Sequence, residues 1–184
     1  IIYDDKTNSY ILRNEANQKL NNSEILAVCK ILLDSRAFLK NEMTTIINKL
    51  MKQCIPAENY IKVSKLIDNE KFHYMELQHK KSFINDIWKL GEAIQNHYKI
   101  EVEYLRMDKK VVNRIIQPVG LMFSEYYFYL LGHIENIDKK QHFENQDDIF
   151  PTIYRLDRIQ KYKILDERFS IIYKNRFEEG EFRK

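Results

Sequence analysis

The spacing of hydrophobic residues changes near the middle of the chain. From Ser23 to about residue 96, apolar residues recur at every third or fourth position, which is the period of an amphipathic α-helix. After His97, apolar and polar residues alternate, as in residues 100–104, and alternation is the period of a half-buried β-strand. The pattern therefore predicts a helical first half and a β-rich second half, with a boundary near residue 97.

Four helices are predicted in the first half. Ser23 is placed as the N-cap of a helix over about residues 23–36, and Glu24 favours its positive start. Pro56 separates a second helix from a third, and a fourth spans about residues 80–96. The apolar positions that define the four helices are Ile25, Val28, Ile31 and Leu32; Met43, Ile46, Ile47, Leu50 and Met51; Tyr60, Val63, Leu66 and Ile67; and Phe83, Ile87, Leu90 and Ile94.

Short β-prone runs stand at the start of the chain and throughout its second half. Residues 1–3 and 10–12 flank a turn-rich stretch and predict a hairpin. Later strands are predicted at about residues 100–104, 111–117, 119–123, 126–134, 153–156 and 159–165, with Pro118 among the breaks. Because closure removes exposed sheet edges, five or six such strands favour a small barrel, and the fold class is α+β.

Composition sets limits on the kind of protein. A chain of 184 residues with 44% hydrophobic residues can bury a core. The absence of a long uncharged apolar run and of a signal-like leader leads us to expect a soluble cytosolic protein. The chain starts at Ile1 and ends in a charged run, so we expect a fragment truncated at both ends. Cys29 and Cys54 lie in apolar helical stretches and are predicted to be free thiols, with a disulfide as the alternative.

The motifs of common enzymes and metal sites are missing from the sequence. Five histidines match no zinc spacing, and neither cysteine belongs to a C-x-x-C pair. No nucleophile elbow, phosphate loop or dinucleotide fingerprint occurs. We therefore predict a protein that is not an enzyme and uses no metal or cofactor. The net charge of +3 is too small to indicate a polyanion partner by itself, so a basic site must be local.

Three motifs in the β-rich half resemble the WYL domain. Phe128-Tyr129-Leu130 stands where the family has Trp-Tyr-Leu. Upstream, Arg114 precedes Pro118 and an apolar strand with the family's spacing, and downstream lies the run Tyr154-Arg155-Leu156-Asp157-Arg158-Ile159. The resemblance covers about residues 97–168.

The resemblance implies a five-stranded Sm/SH3-like antiparallel β-barrel that senses a ligand in a bacterial transcriptional regulator. It implies a remnant wing hairpin of a winged helix-turn-helix at residues 1–13, a helical connector at 14–96, the WYL barrel at 97–168 and the start of a C-terminal extension at 169–184. The implied ligand is a nucleic acid or nucleotide. Operator DNA would be bound by a domain absent from this chain, and the full-length protein would form a homodimer. No membrane is implied.

Alternation along the strands predicts which side chains face a ligand. Phe128, Leu130, Tyr154 and Leu156 share the core-facing parity, which turns the side chains between them outward. Guanidinium groups bind phosphate oxygens in bidentate fashion and stack on bases, so arginines beside tyrosines suit a polyanion. The predicted ligand-binding residues are Arg114, Tyr129, His133, Arg155 and Arg158. Protonation of His133 would tune binding with pH.

Simpler interpretations of the same residues stay open. Arg155 or Arg158 pairs with Asp157 in one alternative, while Tyr129 is ordinary packing and His133 is a hydrogen-bonded strand residue. The rival function is a protein-interaction or dimerisation module without its own small ligand, built on exposed aromatic residues around Tyr126 and on the helical connector.

Overall fold

The computed structural model describes residues 2–4, 9–11, 20–136 and 150–170. These residues belong to two compact units, the first of Ile1–Arg36 with Lys40–Met75 and the second of Ala37–Leu39 with Glu76–Lys184. The elements are β1 (Ile2–Asp4), β2 (Ser9–Ile11), α1 (Asn22–Ser35), α2 (Lys40–Cys54), α3 (Ala57–Phe72), α4 (Ile84–Gln95), β3 (Tyr98–Leu105), β4 (Val111–Ser124), β5 (Tyr127–Ile134), β6 (Thr152–Arg155) and β7 (Ile159–Arg168). None of the described helices is both long and apolar enough to cross a bilayer.

The first unit contains a hairpin and three helices. Strands β1 and β2 are antiparallel, with Ile2 opposite Ile11, so the predicted hairpin is confirmed, although its turn lies outside the described residues. Its role as a wing stays a prediction. The helices α1, α2 and α3 bury part of the predicted apolar positions, whereas Val28, Ile31 and Leu66 are exposed. The buried side chains are Ile25, Cys29, Leu33, Met43, Ile47, Met51, Ile55, Val63 and Ile67.

The start of α1 differs from the prediction. Asn21, not Ser23, is the N-cap, because its side-chain oxygen accepts hydrogen bonds of 2.9 Å from the backbone N–H groups of Ser23 and Glu24. Glu24 in turn accepts a 2.7 Å hydrogen bond from the Asn21 backbone N–H. This reciprocal pair is a capping box, which satisfies several N–H groups at the helix start at once.

Both cysteines of the first unit are free thiols, as the sequence predicts. Cys29 is buried, and burial raises the pKa of its thiol while the nearby Lys71 opposes the shift. Cys54 is half-buried at the end of α2.

The second unit is a five-stranded antiparallel sheet with the order β6-β5-β4-β3-β7, and α4 packs on one face. We call the face that contacts α4 the inner face. Leu90 and Ala93 of α4 belong to the same buried cluster as Ile100 and Leu130 of the sheet. Each fully buried aliphatic side chain of this size contributes about 1.5–3 kcal/mol. Because α4 packs on the sheet, the compact unit begins at Glu76, before the change of period at residue 97.

Strand β4 continues through Pro118, where the sequence predicts a break. The pairing of β4 with β3 ends at Ile116, so Pro118, which has no N–H, lies beyond the part of the strand that must donate to β3. Its pairing with β5 shifts register between Pro118 and Gly120. Gly132 lies opposite Pro118, and a Cβ at this glycine would come within 3.0 Å of the Gln117 carbonyl oxygen.

The predicted closed barrel is wrong, because β6 and β7 are not paired within the described residues. Strand β6 has only four residues, and a 3-10 turn at Leu156–Arg158 leads directly into β7, which pairs with β3 instead. The sheet is nevertheless strongly curved. Tyr104 of β3 and Tyr154 of β6, which two strands separate, have ring centroids 5.0 Å apart. An open seam therefore lies between β6 and β7, and the Sm/SH3-like assignment stays a prediction.

Candidate functional site

The outer face of β5 and β6 brings together an arginine and two tyrosines. Tyr129 lies directly opposite Arg155 in the antiparallel pair, and Tyr127 is two residues earlier on the same face of β5. Their neighbours Leu130 and Tyr154 are buried on the inner face, at 0% and 3% exposure, which confirms the predicted alternation. The two strands thus fix an aromatic and guanidinium cluster on the outer face.

Arg155 is held in a fixed orientation by two contacts. Its Nε and one Nη donate to the two carboxylate oxygens of Asp157 at 3.0 and 2.7 Å. Its Cζ atom lies 3.6 Å from the centroid of the Tyr127 ring, which is a close cation–π stack. The hydrogen bond to Asp157 raises the pKa of Arg155. The ion pair with Asp157 is the alternative interpretation of Arg155, and it coexists with the stack on Tyr127.

The loop before α4 adds a histidine and a lysine that the sequence reasoning missed. Lys81 Nζ donates a 2.7 Å hydrogen bond to the backbone oxygen of Asp157, and the Lys81 backbone N–H donates to His79 Nδ1 at 3.0 Å. The His79 ring lies 6.3 Å from the Tyr127 ring. Burial lowers the pKa of His79, against the opposing charge of Asp157. No local signal could reveal these contacts, because 76 residues separate Lys81 from Asp157.

Arg158 ends the 3-10 turn, three residues after Arg155. Its side chain is half-buried, and no carboxylate of the described residues lies within ion-pair distance of it. We call Lys81, Tyr127, Tyr129 and Arg155, together with Arg158, which follows Asp157 in the chain, the β5–β6 surface. Asp157 pairs with Arg155, and the charge of Glu125 also acts on Tyr129.

Tyr129, one residue of this surface, is half-buried. Burial raises the pKa of its hydroxyl, while the nearby Arg155 charge lowers it. The hydroxyl therefore stays protonated at neutral pH and is able to donate a hydrogen bond.

Arg114 lies on the opposite face of the sheet from Arg155. It pairs with buried Val102 and precedes buried Ile116 by two residues, so alternation places it on the inner face. Its Nη donates a 3.2 Å hydrogen bond to the Asn113 carbonyl oxygen. The structure thus does not bring Arg114 together with Arg155 and Arg158.

His133 lies further along β5, opposite Gln117 of β4. It lies four positions after Tyr129, a distance of roughly 13 Å along the strand. The structure does not bring His133 to the Tyr129–Arg155 pair, and its part in ligand binding stays a prediction.

A cleft of about 580 Å³ lies beside the 3-10 turn, between the start of α4 and the start of β7. Its apolar lining includes Phe83, Leu156 and Ile159, and its polar lining includes Lys81 and Tyr162. The Tyr162 hydroxyl donates a 2.8 Å hydrogen bond to Asp86 Oδ1, and burial together with this bond raises the pKa of Tyr162. We call this the seam cleft. Its size is within the range of small-molecule sites.

Metal binding has no support in this part of the molecule. Within the ranges that the structure describes, no group of three or more His, Cys, Asp or Glu side chains is arranged to hold a metal ion.

A comparison with protein-family models agrees with the motifs of the β-rich half. Residues 87–164 match the family model of the WYL domain, so the resemblance of this segment is confirmed. No curated protein matches the chain. Among solved structures, the chain is similar to proteasome accessory factor B/C (PafBC) of Arthrobacter aurescens, with 13% sequence identity and a TM-score of 0.38. That similarity covers 82% of this chain and 21% of the PafBC chain, so this chain spans about a fifth of that length.

Proposed function

We propose that the second unit is the ligand-sensing module of a bacterial transcriptional regulator and binds single-stranded nucleic acid or a nucleotide at the β5–β6 surface. The observation that carries the proposal is the Arg155 guanidinium 3.6 Å above the Tyr127 ring, directly opposite Tyr129. The match of residues 87–164 to the WYL domain supports the assignment to a regulator.

The chemistry of the surface suits both parts of a nucleotide. A planar guanidinium binds phosphate oxygens and stacks on bases, and tyrosine rings add stacking area that does not depend on sequence. Arg155 uses only Nε and one Nη for Asp157, so its other N–H groups remain for a ligand oxygen. Arg158 and Lys81 supply positive charge in addition to that of Arg155, which is paired with Asp157.

The seam cleft adds an apolar lining next to the β5–β6 surface. Lys81 belongs to both, because it hydrogen-bonds Asp157 and also lines the cleft. In our proposal, a phosphate rests near Lys81 and Arg158 while a base or another apolar group enters the cleft. Bound ligand would then contact both the 3-10 turn and α4.

The regulatory part of the proposal concerns the longer protein. Ligand bound to the second unit would bias the geometry of a homodimer whose operator contacts are made by a domain outside this chain. No bond is made or broken in this mechanism.

Titration of a fluorescent oligothymidylate, followed by anisotropy at several salt concentrations, tests the proposal. The double variant Lys81→Gln plus Arg158→Gln is expected to lower affinity about tenfold or more, because charge-assisted hydrogen bonds are lost. The slope of log affinity against log salt should become shallower by about 0.7 for each phosphate contact removed from a single strand.

The matched control is Arg106→Gln plus Lys110→Gln in the β3–β4 turn, which removes the same charge from exposed positions. Its affinity should stay close to that of the unmodified chain. Equal losses in the two double variants would contradict a localised site.

A protein-interaction module is the second candidate, and one observation favours it. Ile31 of α1 and Phe72 of α3 are 69% and 75% exposed in the first unit. Exposed apolar side chains of this size are common at interfaces between chains. Sedimentation velocity of the chain with and without Ile31→Gln plus Phe72→Gln tests it: loss of a salt-independent dimer would support this candidate.

A further inference from the structure

The inner face of the sheet carries a second group of polar side chains where β3, β4 and β6 come together. Tyr154 of β6 and Tyr104 of β3 meet edge to face, with ring centroids 5.0 Å apart and planes at 88°. Arg114 of β4 lies on the same face, and its charge opposes the rise that burial causes in the pKa of Tyr154. We call these three residues the inner cluster.

The Tyr154 hydroxyl is buried and has no hydrogen-bond partner among the described residues. The side chain is 3% exposed. Buried polar groups are nearly always paired in folded proteins, because an unmade hydrogen bond costs the full desolvation of the group. Burial raises the pKa of Tyr154 to about 12, so the hydroxyl remains a neutral donor at cellular pH.

Arg114 also has few partners. Within the part of the chain that the structure describes, its one hydrogen bond joins an Nη to the Asn113 carbonyl oxygen at 3.2 Å. None of the ion pairs formed among the described residues includes this guanidinium. The inner cluster therefore holds two donors, a guanidinium and a hydroxyl, and none of the described acidic side chains accepts from them.

We propose that the inner cluster binds one oxyanion group, a phosphate or a carboxylate, which accepts hydrogen bonds from the Arg114 guanidinium and the Tyr154 hydroxyl against the ring of Tyr104. Guanidinium and neutral hydroxyl donors are the groups that bind such oxyanions most directly. The site is separate from the β5–β6 surface, because Tyr154 and Arg155 are consecutive strand residues that face opposite sides of β6.

The Tyr154→Phe variant separates a binding role from a structural one. It removes only the unpartnered hydroxyl, so without anion the variant should unfold at the same temperature as the unmodified chain or higher. An oxyanion at tenfold above its Kd should raise the unfolding temperature of the unmodified chain by about 3–6 °C. Tyr154→Phe should weaken anion binding about tenfold, and Arg114→Gln should abolish it.

Thermal unfolding and calorimetric titration with sodium phosphate and with sodium acetate, each against sodium chloride at equal ionic strength, provide the readout. A larger shift with phosphate identifies a phosphate site, and a larger shift with acetate identifies a carboxylate site. If neither anion shifts unfolding, or if Tyr154→Phe destabilises the anion-free chain as loss of a bridging water would, the proposal is overturned.

The Arg158→Gln variant keeps this test independent of the proposed function. It should leave the part of the phosphate and acetate responses that depends on Arg114 unchanged, while it weakens oligothymidylate binding. Loss of the anion response in Arg158→Gln but not in Arg114→Gln would move the oxyanion to the outer face and overturn the inner cluster as a site.

Discussion

Two arginines of one sheet, Arg155 and Arg114, have contrasting surroundings. Arg155 on the outer face is stacked on Tyr127 and bound by both oxygens of Asp157. Among the described residues, Arg114 on the inner face donates to one backbone carbonyl, and the nearby Tyr154 hydroxyl has no hydrogen-bond partner. The first side chain is fixed and partly neutralised, whereas the second keeps its charge. The outer face thus offers an oriented guanidinium group, and the inner face offers a guanidinium group that is not paired with a described carboxylate.

The contrast suggests different kinds of recognition. A guanidinium already paired with a carboxylate adds little net charge but offers a fixed plane for stacking. A guanidinium without a carboxylate attracts an anion more strongly, because nothing nearby offsets its charge. We therefore expect the outer face to bind the bases of a single-stranded nucleic acid. We expect the inner face to bind a single anionic group.

The Gly132→Ala variant should have the largest effect, because it disturbs the strand pairing that supports both arginines. The new Cβ would lie 3.0 Å from the Gln117 oxygen and 3.3 Å from the Pro118 Cα. Overpacking of this kind costs about 1–3 kcal/mol. Urea unfolding should show the loss of stability, and binding at both faces should weaken together. Gly91→Ala is the control, since a Cβ at Gly91 meets nothing within 4 Å.

Arg155→Lys tests the stacking role directly. The variant keeps the positive charge but loses the planar group over Tyr127 and the bidentate pair with Asp157. Oligothymidylate affinity should fall about tenfold, since stacking is worth about 1–3 kcal/mol per base. The salt dependence should stay the same. A shallower salt slope with unchanged low-salt affinity would show that Arg155 acts by charge alone.

The Asp157→Asn variant should remove the carboxylate that pairs with Arg155, so that Arg155 resembles Arg114 in having no paired carboxylate among the described residues. Loss of the charged acceptor should lower the free energy of unfolding by about 1 kcal/mol, because the ion pair is only partly exposed. The slope of log affinity against log salt should become steeper, since the guanidinium is freed for a phosphate. Denaturant titration and anisotropy measure the two effects, and an unchanged slope would mean that Asp157 does not compete with ligand.

The smallest expected effect is a pH dependence of stability from His79. Burial lowers the pKa of His79 in the folded chain, so below about pH 6.5 the unfolded chain takes up the proton more readily. The contribution of His79 to stability is complete above that pH and is lost as the pH falls. Urea unfolding between about pH 5 and pH 7.5 should show a weaker decline in His79→Gln. His73→Gln, at an exposed position, is the control.

The parts of the site that follow from alternation could be predicted from the sequence. The period of two places Tyr129 and Arg155 on one face and Leu130 and Tyr154 on the other, and the structure agrees. The same rule applies to Arg114, because it shares its parity with the apolar residue Ile116. Its inward position was thus present in the sequence pattern, although the grouping of arginines by charge obscured it.

The remaining features depend on contacts between distant segments. Lys81 joins the site through a backbone oxygen 76 residues away, and no local pattern encodes such a contact. The continuity of β4 through Pro118 depends on where β3 stops pairing. The open seam depends on the 3-10 turn, which directs β7 to β3 rather than to β6. Local periodicity determines on which face of a strand each side chain lies. The pairing of the strands depends on contacts between distant segments of the sheet.

The brevity of β6 has a consequence for communication through the sheet. A single peptide bond joins Tyr154, whose side chain lies on the inner face, to Arg155, whose side chain lies on the outer face. If anion capture on one side shifts this edge strand, affinity on the opposite side must change, and thermodynamic linkage requires the reverse influence to be equal in size. The sheet would then act as a two-input receptor, in which a small metabolite sets the threshold at which a polymer is detected.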